Sequence, residues 1–316
     1  MGFADRDYAR EPQGRPGRFG GGGGGGGGMM RGAPFVGGGF PLITKWLLII
    51  NVAVFVIDGL LGRFVGPVVM DLPVGEVAFK PLEAFGYFSA YTAISHGQIW
   101  RFLTAQFFHI SISHLFFNML GIFFFGPMIE KYFGSKRFAV FYLLCGVAGP
   151  VAYLALWGIG VLATEAWIPL IGASAGVLGI LVAAARVAPH STVYFMFLIP
   201  VKLKVLVIIY LCVEVYTVMA MGHRMDTNAG GSAGHLGGAA VGFLFIMRPQ
   251  LLDWVDKAGD RFKTLNKKAT RRRDKNLEAQ VDKILDKVKQ QGLGSLTEKE
   301  KQILSQATDE KRAPRR

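Results

Sequence analysis

"PLIGASAGVLGIL" (169–181) places a lone hydroxyl, Ser174, at the head of a run of small and apolar residues with no charge before Arg186. A helix needs about 20 residues to cross the hydrocarbon of a bilayer. The apolar stretch here, about 170–185, is short of that. A serine opening a short greasy helix asks what surrounds it, and the rest of the chain supplies the neighbours.

Five further apolar runs flank this one. They are "WLLIINVAVFVIDGLLG" (46–62), roughly 104–129, "FAVFYLLCGVAGPVAYLALWGIGVLA" (138–163), about 203–222, and "AGHLGGAAVGFLFIM" (233–247). Together they predict an all-α membrane protein of six transmembrane helices, the fourth and sixth being short. All but four of the 35 Lys and Arg fall in alternate connections and the two ends, the exceptions being Arg63, Lys80, Arg101 and Arg224. By the positive-inside rule both termini are expected in the cytoplasm, as an even number of spans requires. The net charge of +13 is thus a topology signal and not a nucleic-acid footprint, so no nucleic-acid partner is expected. Membrane lipids are the expected surroundings.

The ends read differently from the middle. Residues 1–40 contain the tract Gly20–Gly28, which cannot bury enough surface to offset its backbone entropy, and are expected to be a disordered tail. The six-span domain is assigned to 42–248, and the connection 63–103 is expected to lie partly in the membrane interface. A basic linker is expected over 249–276, its "KKATRRR" meeting anionic headgroups. A small cytoplasmic helical hairpin is expected over 277–307. In it, Leu277, Val281, Ile284, Leu285 and Val288 share a helical face, Gly292 ends the first helix, and "SLTE" (295–298) reads as a capping box. The tail does not look like a transit peptide, which points to a bacterial-type plasma (inner) membrane. Cys145 and Cys212 lie inside apolar runs, make no disulfide framework and are read as packing residues. No residue pattern fixes an oligomeric state.

Counting residues gives depth. Ser174 lies twelve residues before Arg186, His235 thirteen before Arg248, and Asn118 twelve before Glu130. At 1.5 Å per residue each is roughly 18–20 Å from the inner boundary. That is one level, about 10 Å below the outer surface of a core about 30 Å thick. Ala175, Gly179 and Ala183 in the fourth run, and Gly234, Gly238 and Gly242 in the sixth, repeat small residues at every fourth place. Such stripes let helix backbones approach closely in lipid, and facing stripes would bring Ser174 and His235 within hydrogen-bond reach. His114 and Asn118 are four apart and share a face. A single membrane serine commonly bonds a carbonyl one turn back. A histidine at that depth is costlier and more often functional. His109 and His114 are five apart on different faces with no adjacent Glu, so no metal is expected. Asp58 and Glu214 are isolated intramembrane acids, expected to make structural hydrogen bonds. A transporter's ion path is the rival reading, weakened by the lack of an internal repeat.

With "WRFLT" (100–104), "HISISHLFFNM" (109–119) followed by "FG" and Glu130, "GAS" (172–174) and "AGHLGGAAVG" (233–242) in this order on six spans, the chain resembles the rhomboid intramembrane serine proteases over roughly 42–248. The resemblance implies a rhomboid-like bundle with Ser174 as nucleophile and His235 as general base. It implies His114 and Asn118 as oxyanion ligands, with His109 structural. No carboxylate is identified at a position to orient His235, so a Ser–His dyad without a cofactor is expected. Where the family often has GxSG, Ala175 follows the serine. Where it often has an aromatic four places on, stacking on the histidine, this chain has Leu178. The implied substrates are single-span transmembrane proteins cut near the outer end of their helix, entering beside span five, with 223–232 as a flexible cap. The alternative is a catalytically silent relative that binds and retains membrane clients.

Overall fold

The computed structural model describes residues 39–312 apart from 164, 196–197 and 225–226; the tail expected over 1–40 lies, but for its last two residues, outside them. Helix α1 spans Leu42–Phe64 and turns Thr44, Leu47, Asn51 and Asp58 inward, leaving Ile49, Val56 and Leu60 exposed. This is the pattern of a helix whose solvent is lipid: polar groups face the bundle because nothing outside can satisfy them.

The first connection is built, not loose. Strands β1 (Val68–Leu72) and β2 (Gly75–Phe79) form an antiparallel hairpin. Short helices α2 (Pro81–Gly86) and α3 (Arg101–Thr104) follow, with a π-helical turn at Tyr91–Ser95 between them. Asp58 Oδ1 accepts from the amides of Leu82 (2.8 Å) and Glu83 (3.4 Å), so this intramembrane acid caps α2. Arg101 closes the other end, donating to the carbonyls of Tyr87 (2.6 Å) and Ala84 (2.8 Å). The "WRFLT" motif is therefore a clasp for the connection it follows.

A 3₁₀ turn at Ala105–Phe107 leads into α4 (Ile112–Phe133), which starts eight residues later than the apolar run suggested because Ser111 caps it, accepting from His114 N at 3.2 Å. Glu130, near the far end of α4, accepts from the amides of Ile43 (3.0 Å) and Thr44 (2.8 Å) and from Thr44 Oγ1 (2.7 Å). A carboxylate on the free amides of a helix N-terminus is a favourable pairing, and it pins α1 to α4. Helix α5 spans Ser135–Gly158, α6 Ser174–Val187, α7 Leu203–Met221 and α8 Ala229–Met247. A second hairpin, β3 (Thr192–Phe195) with β4 (Ile199–Lys202), joins α6 to α7.

Five of these six apolar helices are long enough to cross a membrane, and α6 alone among the six is not. Its 14 residues rise only about 21 Å. The sixth run is thus longer than its apolar stretch: α8 gains a first turn from "AGGS" (229–232), small residues with no apolar signal, which takes up the end of the expected flexible cap.

Beyond the bundle, the linker expected over 249–276 is mostly helix. Helix α9 runs unbroken from Asp253 to Gln291. Arg137 at the start of α5 holds its first turns through Asp253 (3.0 Å) and Asp256 (2.6 Å). Helix α10 (Glu298–Arg312) folds back on it. Ile284 is buried between them, whereas Leu285, expected on the same face, is 45% exposed. The capping box lies two residues beyond the expected 295–298. Thr297 N donates to Glu300 Oε2 (2.7 Å), and Glu300 N donates to Thr297 Oγ1 (3.3 Å). The Thr297 amide and then Lys287 Nζ hold the Glu300 carboxyl down to about 2.

Because that carboxyl is depressed on folding, the box is complete above the ordinary carboxylate range and is lost as the pH falls through about 2. A carboxyl-carbon NMR titration of Glu300 should give its midpoint near that value. In Lys287→Ala, which removes the ammonium and leaves the Thr297 amide, the midpoint should move up from that value.

Candidate active site

Ser174 is the first residue of α6 and lines a cavity together with Gln106, Gly149, Pro150, Gly172 and His235. The backbone that delivers it is not helical, and its polar groups are accounted for. Leu170 pairs with Phe88, N to O at 2.7 and 3.1 Å in the two directions, and Gly172 N donates to Ala105 O at 3.0 Å. The loop thus borrows hydrogen bonds from the first connection, which is how irregular backbone is satisfied inside a membrane protein. This answers the opening oddity: the hydroxyl stands in the first turn of a helix that begins in a cavity lined by protein.

Gly172 has φ +128°, a conformation that disfavours any side chain. A Cβ there would sit 2.6 Å from His114 Cε1 and 2.7 Å from His114 Nε2, and 3.5 Å from Ser174 Oγ. The missing side chain is what lets the imidazole edge of His114 lie beside the serine. Asn118, one turn further along α4, is buried, and its Nδ2 has no hydrogen-bond partner among the described residues. An unpaired buried amide is costly to keep. His109 is buried behind them and meets His114 edge-on at 5.0 Å between ring centroids, which fits a packing role.

Helix α8 reaches the same cavity because both small-residue stripes face each other. A Cβ on Gly238 would collide with the carbonyl of Ala175, and one on Gly242 would lie 2.5 Å from Gly179 Cα. On its other flank α8 meets α5, where a Cβ on Gly149 would come 3.3 Å from Gly234 O. His235 is carried into the cavity opposite Ser174 by this backbone contact. Ser174, His235 and His114 are therefore brought together, with Asn118 on the adjoining face of α4.

Sequence reasoning named Glu214 only as an acid expected to make a structural hydrogen bond, and missed its partner. Glu214 of α7 lies 2.8 Å, Oε1 to Nδ1, from His235. The expectation that no carboxylate orients this histidine is overturned: the acid sits on a neighbouring span, 21 residues earlier in the chain. Tyr210, one turn before it, has its ring centroid 6.2 Å from that of His235. Leu178, where an aromatic partner was looked for, is buried in the main core. The brace on His235 comes from α7 in place of α6.

A family model described as the Rhomboid domain matches residues 96–248, and one for a family of unknown function (DUF6576) matches residues 264–308. Among curated relatives, "Rhomboid protease GluP" of Bacillus subtilis (strain 168) is 30% identical over 174 residues, 55% of this chain and 30% of that protein. "RHOMBOID-like protein 12, mitochondrial" of Arabidopsis thaliana is 32% identical over 155 residues, 46% of this chain and 45% of that protein. "Inactive RHOMBOID-like protein 8", also from Arabidopsis thaliana, is 36% identical over 90 residues, 28% and 26% of the two chains. The matched stretch spans less than half the length of each of these three relatives.

A glycine in a stripe and one outside it should respond differently to substitution. Gly238→Ala should lower stability in detergent by about 1–3 kcal/mol, since its methyl must displace helix backbone. Gly59→Ala in α1, where nothing lies within 4 Å, should be neutral or gain up to about 1 kcal/mol of helix propensity. Thermal unfolding of the two variants beside wild type checks both.

Proposed function

From the match of residues 96–248 to the Rhomboid domain, and the likeness to rhomboid relatives, we propose that this chain is an intramembrane serine endopeptidase of the rhomboid family. The observation that carries the reading is the convergence of Ser174 and His235, from adjoining helices α6 and α8, on one cavity. Ser174 Oγ attacks the scissile carbonyl carbon while His235 Nε2 takes its proton. The new C–O bond pushes the carbonyl electron pair onto oxygen. Collapse of that intermediate breaks the C–N bond, and the proton passes from His235 to the leaving amine. Water, activated by the same histidine, then frees the acyl group. The oxyanion falls to the Ser174 amide at the α6 N-terminus, to His114 and to Asn118, whose unpaired Nδ2 is a donor held ready.

Substrates of this reading are single-span membrane proteins whose helix unwinds near its outer end, because a regular helix hides its peptide bonds. Access is beside α7, whose surface is mostly exposed apolar side chains such as Ile208, Ile209, Val213 and Tyr216. Both termini lie on the cytoplasmic side, supported by the bias of Lys and Arg toward the chain ends and alternate connections. The bacterial inner membrane is the location proposed.

A silent client-binding role is the second reading, because a relative named inactive matches 90 residues. Against it stands the presence together of Ser174, His235, His114 and Asn118. Purified protein incubated in detergent with a panel of single-span substrates should cleave at least one. Ser174→Ala and His235→Ala should abolish cleavage, and Asn118→Ala should lower kcat by about 10²–10³-fold. Equal cleavage by wild type and both dyad variants would sink the assignment.

A further inference from the structure

The bond between Glu214 and His235 has no part in the two-residue mechanism above, and it is an expensive thing to leave inside a membrane protein for packing alone. Ionisable groups at such depth cost several kcal/mol unless paired. Glu214 is nearly fully buried on α7, and its side chain is 8% exposed against 15% for His235. Tyr210 of α7 and Ser232 of α8 flank the same carboxylate, so it is held from both helices. A carboxylate only accepts, so at 2.8 Å the Nδ1 of His235 must be the donor. That assignment leaves Nε2 with its lone pair free, on the edge of the ring away from Glu214. Among the described residues beyond α7 and α8, the side chains near His235 include His114 of α4, Ser174 of α6 and, lining the same cavity, Gln106.

We propose that Glu214 is the positioning residue for His235, fixing its tautomer and ring orientation so that Nε2 serves Ser174, and that the site is a Ser174–His235–Glu214 triad assembled from three helices. The inference rests on the protease reading above and deepens it. Glu214 does not touch substrate and takes no proton; it stabilises the imidazolium that His235 becomes when Ser174 attacks. It also replaces the aromatic brace absent at Leu178.

Cleavage kinetics in detergent should be measured for Glu214→Gln and Glu214→Asp beside wild type, Ser174→Ala and His235→Ala, each variant first checked by thermal unfolding. Glu214→Gln can offer its amide in either sense and no longer dictates the tautomer. It should lose on the order of 10²–10⁴-fold in kcat with KM changed by less than about threefold. Glu214→Asp should recover part of that loss. Independently of turnover, histidine-selective nitrogen labelling should show a strongly deshielded Nδ1–H on His235 in wild type that disappears in Glu214→Gln. Wild-type rates in a folded Glu214→Gln, with Ser174→Ala inactive, would overturn the triad and leave the dyad standing. Should wild type prove no better than Ser174→Ala, the protease reading itself fails. The labelled spectrum then decides the Glu214 bond alone, and an Nδ1 without a proton would overturn it.

Discussion

Everything in the active region depends on backbone meeting backbone between α6 and α8. Lipid gives two apolar helices no reason to prefer each other over hydrocarbon, so association must come from close packing. Ala175 and Gly179 on one side, with Gly238 and Gly242 on the other, remove the side chains that would hold the axes apart. The stripes begin beside Ser174 and His235, so the contact that holds the helices together also sets the separation of the two groups proposed to react. Stability and chemistry share the same few glycines.

A second constraint is that irregular backbone below the membrane surface must find its hydrogen bonds inside the protein. The chain meets it by lending groups between distant segments. Asp58 caps α2, Arg101 closes it, Glu130 caps α1, and the pairing of Phe88 with Leu170 supports the descent to Ser174. These polar residues are buried structural parts, and they explain why the first connection, which touches no substrate in the mechanism, is folded and hydrogen-bonded to the loop that carries Ser174. Polar residues along the spans thus divide into those that hold the scaffold and those that converge on one cavity.

The sequence made the bundle legible because its strongest signals are local. Apolar run lengths, charge alternation and the spacing of Gly and Ala survive any uncertainty about tertiary packing. Depth could be counted from Ser174, His235 and Asn118 to the nearest charge because a helix rises at a fixed rate. The Glu214 bond was not legible for a geometric reason. Helix α7 is apolar on nearly all sides, so no amphipathic stripe announces which way residue 214 points. Its partner lies on another helix whose rotation is set by glycines facing elsewhere. Other misses were of the same non-local kind. The first turn of α8 is made of glycine, alanine and serine, and "basic linker" was read from composition where Arg137 anchors a continuous helix. The displaced capping box shows that a local motif can occur twice within a few residues, and only the fold-back of α10 onto Lys287 picks one.

Helix α7 carries more than an apolar wall for lipid. The histidine grows from α8, but the atom that decides which way its ring points belongs to α7. Under the proposal, readiness for chemistry is therefore the joint property of two helices, α7 and α8. On the triad reading, the span beside which a guest is proposed to enter also holds the sight line of the base, so admission and aim share one helix.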